Sequence, residues 1–138
     1  MAELCGRSES FFHPRFLGDK YPTFDYIVEL VDHPAFYFFA QVKTTTQGYT
    51  LNPARLKVQV SQTDVDRMVA CPAPTYVVAI DESSFKGYLL SVNEARDHVA
   101  SLVTSFEMDC SVLKELADEV RGFWTSRDMI LVGSKSKE

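Results

Sequence analysis

Between Phe24 and Thr46 the chain reads FDYIVELVDHPAFYFFAQVKTTT, two β-branched and aromatic runs on either side of Asp32–Ala35. Such runs bounded by turn residues predict two strands of a hairpin, and the fixed φ of Pro34 suits the bend. Residues two apart in a strand share a face. Asp25, Ile27, Glu29 and Val31 therefore fall together on the first arm, and Phe39, Gln41 and Lys43 together on the second, with Ala40 and Val42 on its other face. Antiparallel pairing sets Asp25, near the start of one strand, beside Gln41 and Lys43, near the end of the next. A carboxylate, an amide and an ammonium then meet at one end of an apolar hairpin.

The rest of the pattern reads as alternating strands and helices. Met1 to Tyr21 is rich in breakers (His13-Pro14, Gly18-Asp19) and leaves room only for a short helix around Ala2–Phe12. Thr44–Gly48 reads as a turn. Leu56, Val58 and Val60 alternate with Lys57 and Gln59, as in a half-buried strand or extended stretch. Ser61-x-x-Asp64 is a capping pair opening a helix through Val65, Met68 and Val69, which Cys71-Pro72-Ala73-Pro74 stops. The unbroken apolar run Thr75–Ile80 predicts a strand buried on both faces. Asp81–Lys86 is a turn and Gly87–Val92 a further strand. Ser91-x-x-Glu94 predicts a helix to about Ser105, with Ala95, Val99, Leu102, Val103 and Phe106 along one side. A last helix from Ser111 carries Leu113, Leu116, Ala117, Val120 and Trp124 on a stripe that is core or a dimer surface. Met129–Val132 reads as a short strand or a segment that binds a neighbouring chain, and residues 131–138 as a polar, flexible tail.

Composition narrows the class. The 138 residues suffice for one domain with a core, residues 1–138, and 46% of them are hydrophobic. No apolar run approaches the ~20 residues that span a bilayer, and MAELCGRSES lacks the pattern of a signal peptide, so a cytoplasmic protein without a membrane partner is expected. Cys5, Cys71 and Cys110 are scattered and indicate neither a disulfide framework nor a zinc site. His13, His33 and His98 are likewise dispersed, which points to turn or surface roles. A net charge of −5 argues against a protein that coats nucleic acid. It is compatible with carboxylates that hold a metal ion beside a local basic patch, for which Lys20, Arg55, Lys57 and Arg67 are candidates, although each also reads as ordinary surface charge.

The order of Asp25 in TFDYIVEL and Gln41-Val42-Lys43 in AQVKTTT resembles the PD-(D/E)xK nuclease superfamily. More narrowly it is similar to a bacterial family of uncharacterised domains in that superfamily, with a D-x-x-[IV]-E strand followed by QVK[ST]. The resemblance runs from about Thr23 to Ser91 and includes the Pro-rich step before the buried strand ending at Asp81. It implies an α/β, restriction-endonuclease-like fold, a mixed β-sheet with flanking helices. It also implies Mg²⁺ or Mn²⁺ bound by Asp25, the Gln41 amide and the Val42 carbonyl, with Lys43 orienting the attacking water or neutralising charge on a phosphate. Members often carry a glutamate on an N-terminal helix, and Glu3 and Glu9 are the acids placed to serve. Gln41 departs from the acidic residue usual at its position, and a dipole in place of a charge should weaken metal affinity. Glu29, four residues from Asp25 at ~3.3 Å per residue, lies too far along the strand to share its ion. Thr44–Thr46 could donate to a phosphate or simply end a strand, and Asp81 could approach the site or simply begin a turn. Asp25 and Lys43 themselves also fit a solvated strand edge.

Two functions follow from this reading. One is metal-dependent phosphodiester hydrolysis on DNA, within a defence or DNA-processing system. The other is a nuclease-fold binding or scaffolding module that has lost catalysis and takes a protein partner. Beside them stands a small stand-alone regulator that works as a homodimer through its C-terminal helix and tail, and a homodimer or a larger partner subunit is compatible with the first two.

Overall fold

The computed structural model describes residues 11–18, 20–50, 55–92, 99–103 and 106–136. Within them the chain order is β1 (Phe12–Phe16), β2 (Tyr26–Leu30), β3 (His33–Thr45), β4 (Arg55–Val60), α1 (Gln62–Ala70), β5 (Thr75–Asp81), β6 (Lys86–Ser91), β7 (Val99–Val103) and α2 (Cys110–Ser136). Five strands form one mixed sheet in the order β1-β2-β3-β5-β6, and β4 and β7 form a separate antiparallel pair. The chain is thus an α/β protein, as the alternation of patterns predicts. The short helix expected around Ala2–Phe12 lies outside the described residues except at its end, where Phe12 opens β1. Glu3, Glu9 and Glu94 also lie outside them.

The hairpin forms with the expected pairing, Tyr26 opposite Ala40 and Ile27 opposite Phe39. Its turn differs. Leu30 pairs with His33 while Glu29 pairs with Tyr37, so Pro34, Ala35 and Phe36 are extra residues bulged out of β3. Proline has no N–H to give to a ladder, and a bulge is one place where that costs nothing. The His33 and Phe36 rings stack at 3.7 Å across it.

From β3 the chain crosses through β4 and α1 and returns as β5, parallel to β3, with Gln41 opposite Val77 and Lys43 opposite Ala79. The capping pair holds: Asp64 N–H donates to Ser61 Oγ at 3.1 Å, and Val65 and Met68 turn inward. β4 alternates as predicted, with Leu56, Val58 and Val60 buried and Lys57 and Gln59 outside. β5 is buried along nearly its whole length.

Two cores result, one on each face of the sheet. Val28, Leu30, Phe38, Tyr76 and Val78 meet Leu113, Leu116, Ala117 and Val120 of α2, so the α2 stripe is core. Trp124 Nε1 clamps the helix by donating to the Tyr37 carbonyl at 2.7 Å. On the other face Val77, Ala79 and Tyr88 meet Val65 and Met68 of α1 and the inward residues of β4.

Three expectations are corrected. Residues 99–103 form β7, not the helix predicted from Ser91-x-x-Glu94. The helical spacing of that segment loses to the pairing of Leu102 with Leu56 and Ser101 with Lys57, which supplies β4 with a ladder partner. Met129–Val132 is helical, because α2 continues to Ser136 through the start of the polar tail. Cys110 is disulfide-bonded, which its spacing did not indicate. No helix among the described residues is long and apolar enough to cross a membrane.

Candidate functional site

Asp25 directly precedes β2 and is fixed by its backbone. Its N–H donates to the Ala40 carbonyl at 2.9 Å, and its carbonyl accepts from Leu17 N–H at 2.8 Å. Its carboxylate reaches across the hairpin, where Oδ2 accepts the Val42 N–H at 2.7 Å. A strand residue points its N–H and C=O to the same side. The Val42 carbonyl therefore faces the Asp25 end of the hairpin as well.

Gln41 lies on the α1 face of the sheet and is 4% exposed. Its Nε2 donates to the Thr23 carbonyl at 3.0 Å and to Asp64 Oδ2 at 2.9 Å. Its Oε1 is buried and has no hydrogen-bond partner. The amide orientation is fixed chemically, because turning it round would set Oε1 against two oxygens. An unpartnered buried carbonyl oxygen is costly and is the kind of ligand a hard cation takes.

Asp64, in the first turn of α1, completes the arrangement. Its Oδ1 accepts from Thr23 Oγ1 at 2.8 Å, and Arg67, one turn further on, donates from Nη1 to the same hydroxyl at 3.2 Å. Partial burial alone would raise the Asp64 carboxyl. Hydrogen bonds from Gln41 and Thr23, the Lys43 ammonium and the Ser61 hydroxyl outweigh it and hold the group below the ordinary carboxylate value. Thr23 adopts φ 71°, a left-handed conformation that a β-branched residue adopts only under strain. Phe24 and Phe39 stack at 4.9 Å beside this network and close its apolar side.

The predicted residues are thus distributed as follows. Asp25 and the Val42 backbone are in contact, and Gln41 and Lys43 share the Asp25 face of the hairpin by strand periodicity. Lys43 is half-buried, close enough to Asp64 to act on its titration. Glu29 is apart from them, paired with Arg15 at 2.8 Å. Asp81 accepts from Ser83 N–H and Ser84 Oγ and so initiates a turn. Thr45 is turned to its own loop, accepting from Gln47 N–H at 3.0 Å. Of the four basic candidates, Arg67 touches the network. Thr23 and Asp64 escaped the sequence reading; Asp64 was visible only as a capping partner, since nothing local shows which way its carboxylate turns. Among the described residues no three His, Cys, Asp or Glu side chains group closely enough to hold a metal ion by themselves. Any cation here would draw on amide and backbone oxygens in addition to carboxylate.

No family model, curated protein or solved structure matches this chain.

Proposed function

We propose that the protein is a divalent-metal-dependent nuclease of the restriction-endonuclease-like fold, hydrolysing DNA phosphodiesters at the open end of the β2–β3 hairpin. The observation that carries this reading is Gln41 Oε1, a buried oxygen without a partner on the face of the hairpin that also bears Asp25 and Lys43. Support also comes from the strand sequence: an antiparallel β1-β2-β3 meander, a crossover containing α1, and β5 parallel to β3. A mixed sheet with flanking helices is what the resemblance of the motif order implies.

The donor set fits a hard cation, for which Asp25 would supply charge and Gln41 Oε1 and the Val42 carbonyl neutral oxygens. When bound, such a cation, Mg²⁺ or Mn²⁺, would polarise a phosphoryl oxygen and lower the pKa of water. The Val42 N–H holds the Asp25 carboxylate in place. Lys43 sets a positive charge where negative charge develops on the phosphate. Arg67, exposed and bonded through Nη1 to the Thr23 hydroxyl, offers further donors to a neighbouring phosphate.

The test is cleavage of supercoiled and linear duplex DNA with Mg²⁺, with Mn²⁺ and with chelator. Metal-dependent cleavage by the wild type should vanish in Asp25→Ala and in Lys43→Ala, both retaining their far-UV circular dichroism. Cleavage that survives both changes contradicts the proposal.

One observation favours the second reading, a nuclease-fold module that binds a protein partner without catalysis. The Asp25 carboxylate already serves the Val42 N–H, a structural task sufficient to explain its presence. Folded wild type that is inactive with either metal, on duplex and on single-stranded DNA, would select it.

A further inference from the structure

Gln41 has two amide hydrogens, and both are committed, one to the Thr23 carbonyl and one to Asp64 Oδ2. Asp64 has two carboxylate oxygens, and both are committed, Oδ2 to Gln41 and Oδ1 to Thr23. The one polar atom left over in this closed set is Gln41 Oε1. We infer that Asp64 is a positioning residue: it fixes the Gln41 amide so that Oε1, and not the NH₂ group, is presented to a divalent cation. The inference rests on the cation site proposed above and assigns Asp64 no contact with the ion.

Two features support it. Asp64 reaches the site from the first turn of α1, whose Ser61 cap fixes its backbone, so the acceptor sits on a rigid element. Thr23, which joins both partners, is held at φ 71°. A strained backbone persists only where its surroundings determine it, and here both its carbonyl and its hydroxyl are bound.

A positioning role differs from a purely electrostatic one in what Asp64→Asn should do. The asparagine side chain keeps an oxygen for Gln41 Nε2 and can turn its NH₂ to Thr23 Oγ1, so the geometry survives while the charge is lost. Asp64→Leu removes the acceptor at similar volume, which leaves the Gln41 amide free to turn.

The experiment is Mn²⁺ affinity by electron paramagnetic resonance for wild type, Asp64→Asn, Asp64→Leu, Gln41→Leu and the Gln41→Leu/Asp64→Leu double variant. The Gln41 side-chain amide signals are followed by NMR in the same samples without metal. The expected result is affinity close to wild type for Asp64→Asn and a loss of about ten-fold or more for Asp64→Leu. Asp64→Leu should cost nothing further once Gln41 is already leucine. The Gln41 amide signals should keep their wild-type positions in Asp64→Asn and move in Asp64→Leu. Equal losses in Asp64→Asn and Asp64→Leu would show that charge, not orientation, is what Asp64 provides, and would overturn the inference. So would wild-type affinity in Asp64→Leu with its amide signals unmoved. Wild type that binds no Mn²⁺, or binds it independently of Asp25 and Gln41, would remove the cation site itself, and the inference with it.

Discussion

Gln41 on β3 and Asp64 on α1 are joined by a hydrogen bond of 2.9 Å between side chains 23 residues apart in the chain. Together with the bond to the Thr23 carbonyl, it decides which end of the Gln41 amide is spent. Among the described residues, Gln41 Oε1 is the buried side-chain polar atom left without a hydrogen-bond partner.

The first prediction concerns acid stability. The Asp64 carboxyl lies below its ordinary value of 3.8 in the folded protein, so the unfolded chain takes up its proton at a higher pH than the folded one. The stabilisation from Asp64 is therefore complete above the unfolded value and is lost as pH falls through the folded one. Asp64→Asn should be less stable than wild type at neutral pH, with the gap closing below about pH 4. Urea unfolding at a series of pH values measures it, and a gap that does not change with pH would contradict the assigned direction.

Thr23 separates backbone strain from hydrogen bonding. Thr23→Val keeps the shape and the φ of 71° but removes the hydroxyl that serves Asp64. Thr23→Gly removes the same hydroxyl and relieves the left-handed conformation, at the entropic cost of glycine. Valine should destabilise by about 1–3 kcal/mol, because a charged acceptor loses its donor. Glycine should be the more stable of the two variants by about 1 kcal/mol or more. Thermal or urea unfolding of the pair decides it, and a valine variant as stable as the glycine one would show that Thr23 is not strained.

Leu113 tests the docking of α2. It is fully buried among residues from the sheet and α2, so Leu113→Ala should cost roughly 2–5 kcal/mol through lost burial and a cavity. Trp124→Phe, which gives up the bond to the Tyr37 carbonyl but keeps an aromatic ring, should cost about 1 kcal/mol. Equal effects of the two changes would show that the helix is held from its far end and not by its stripe.

What could be read from the sequence divides along physical lines. The hairpin, α1, β5 and the α2 stripe are written in local periodicity; Val65, Met68, Leu113, Leu116, Ala117 and Val120 are buried as it implies, while Val69, Ile80 and Trp124 are half-buried. β1 was missed because Pro14 reads as a breaker. As an edge strand it tolerates proline, whose missing N–H can face away from the sheet. β7 was missed because Ala95, Val99, Leu102, Val103 and Phe106 have helical spacing, and only the needs of distant β4 make the segment a strand. The site divides in the same way. Asp25, Gln41 and Lys43 share a face by strand periodicity, and Val42 enters only through the motif resemblance. Thr23 and Asp64 join them through a backbone conformation and a helix orientation that the chain in one dimension does not show.

The central claim is that a divalent cation binds at the open end of the hairpin. It is tested most directly by anomalous diffraction from crystals soaked in Mn²⁺, with and without a short DNA duplex. The account predicts an anomalous peak within direct coordination distance, about 2.0–2.6 Å, of an Asp25 carboxylate oxygen and of Gln41 Oε1, and its absence in Asp25→Ala. Crystals that hold manganese elsewhere but leave this position empty, with DNA bound, would contradict it.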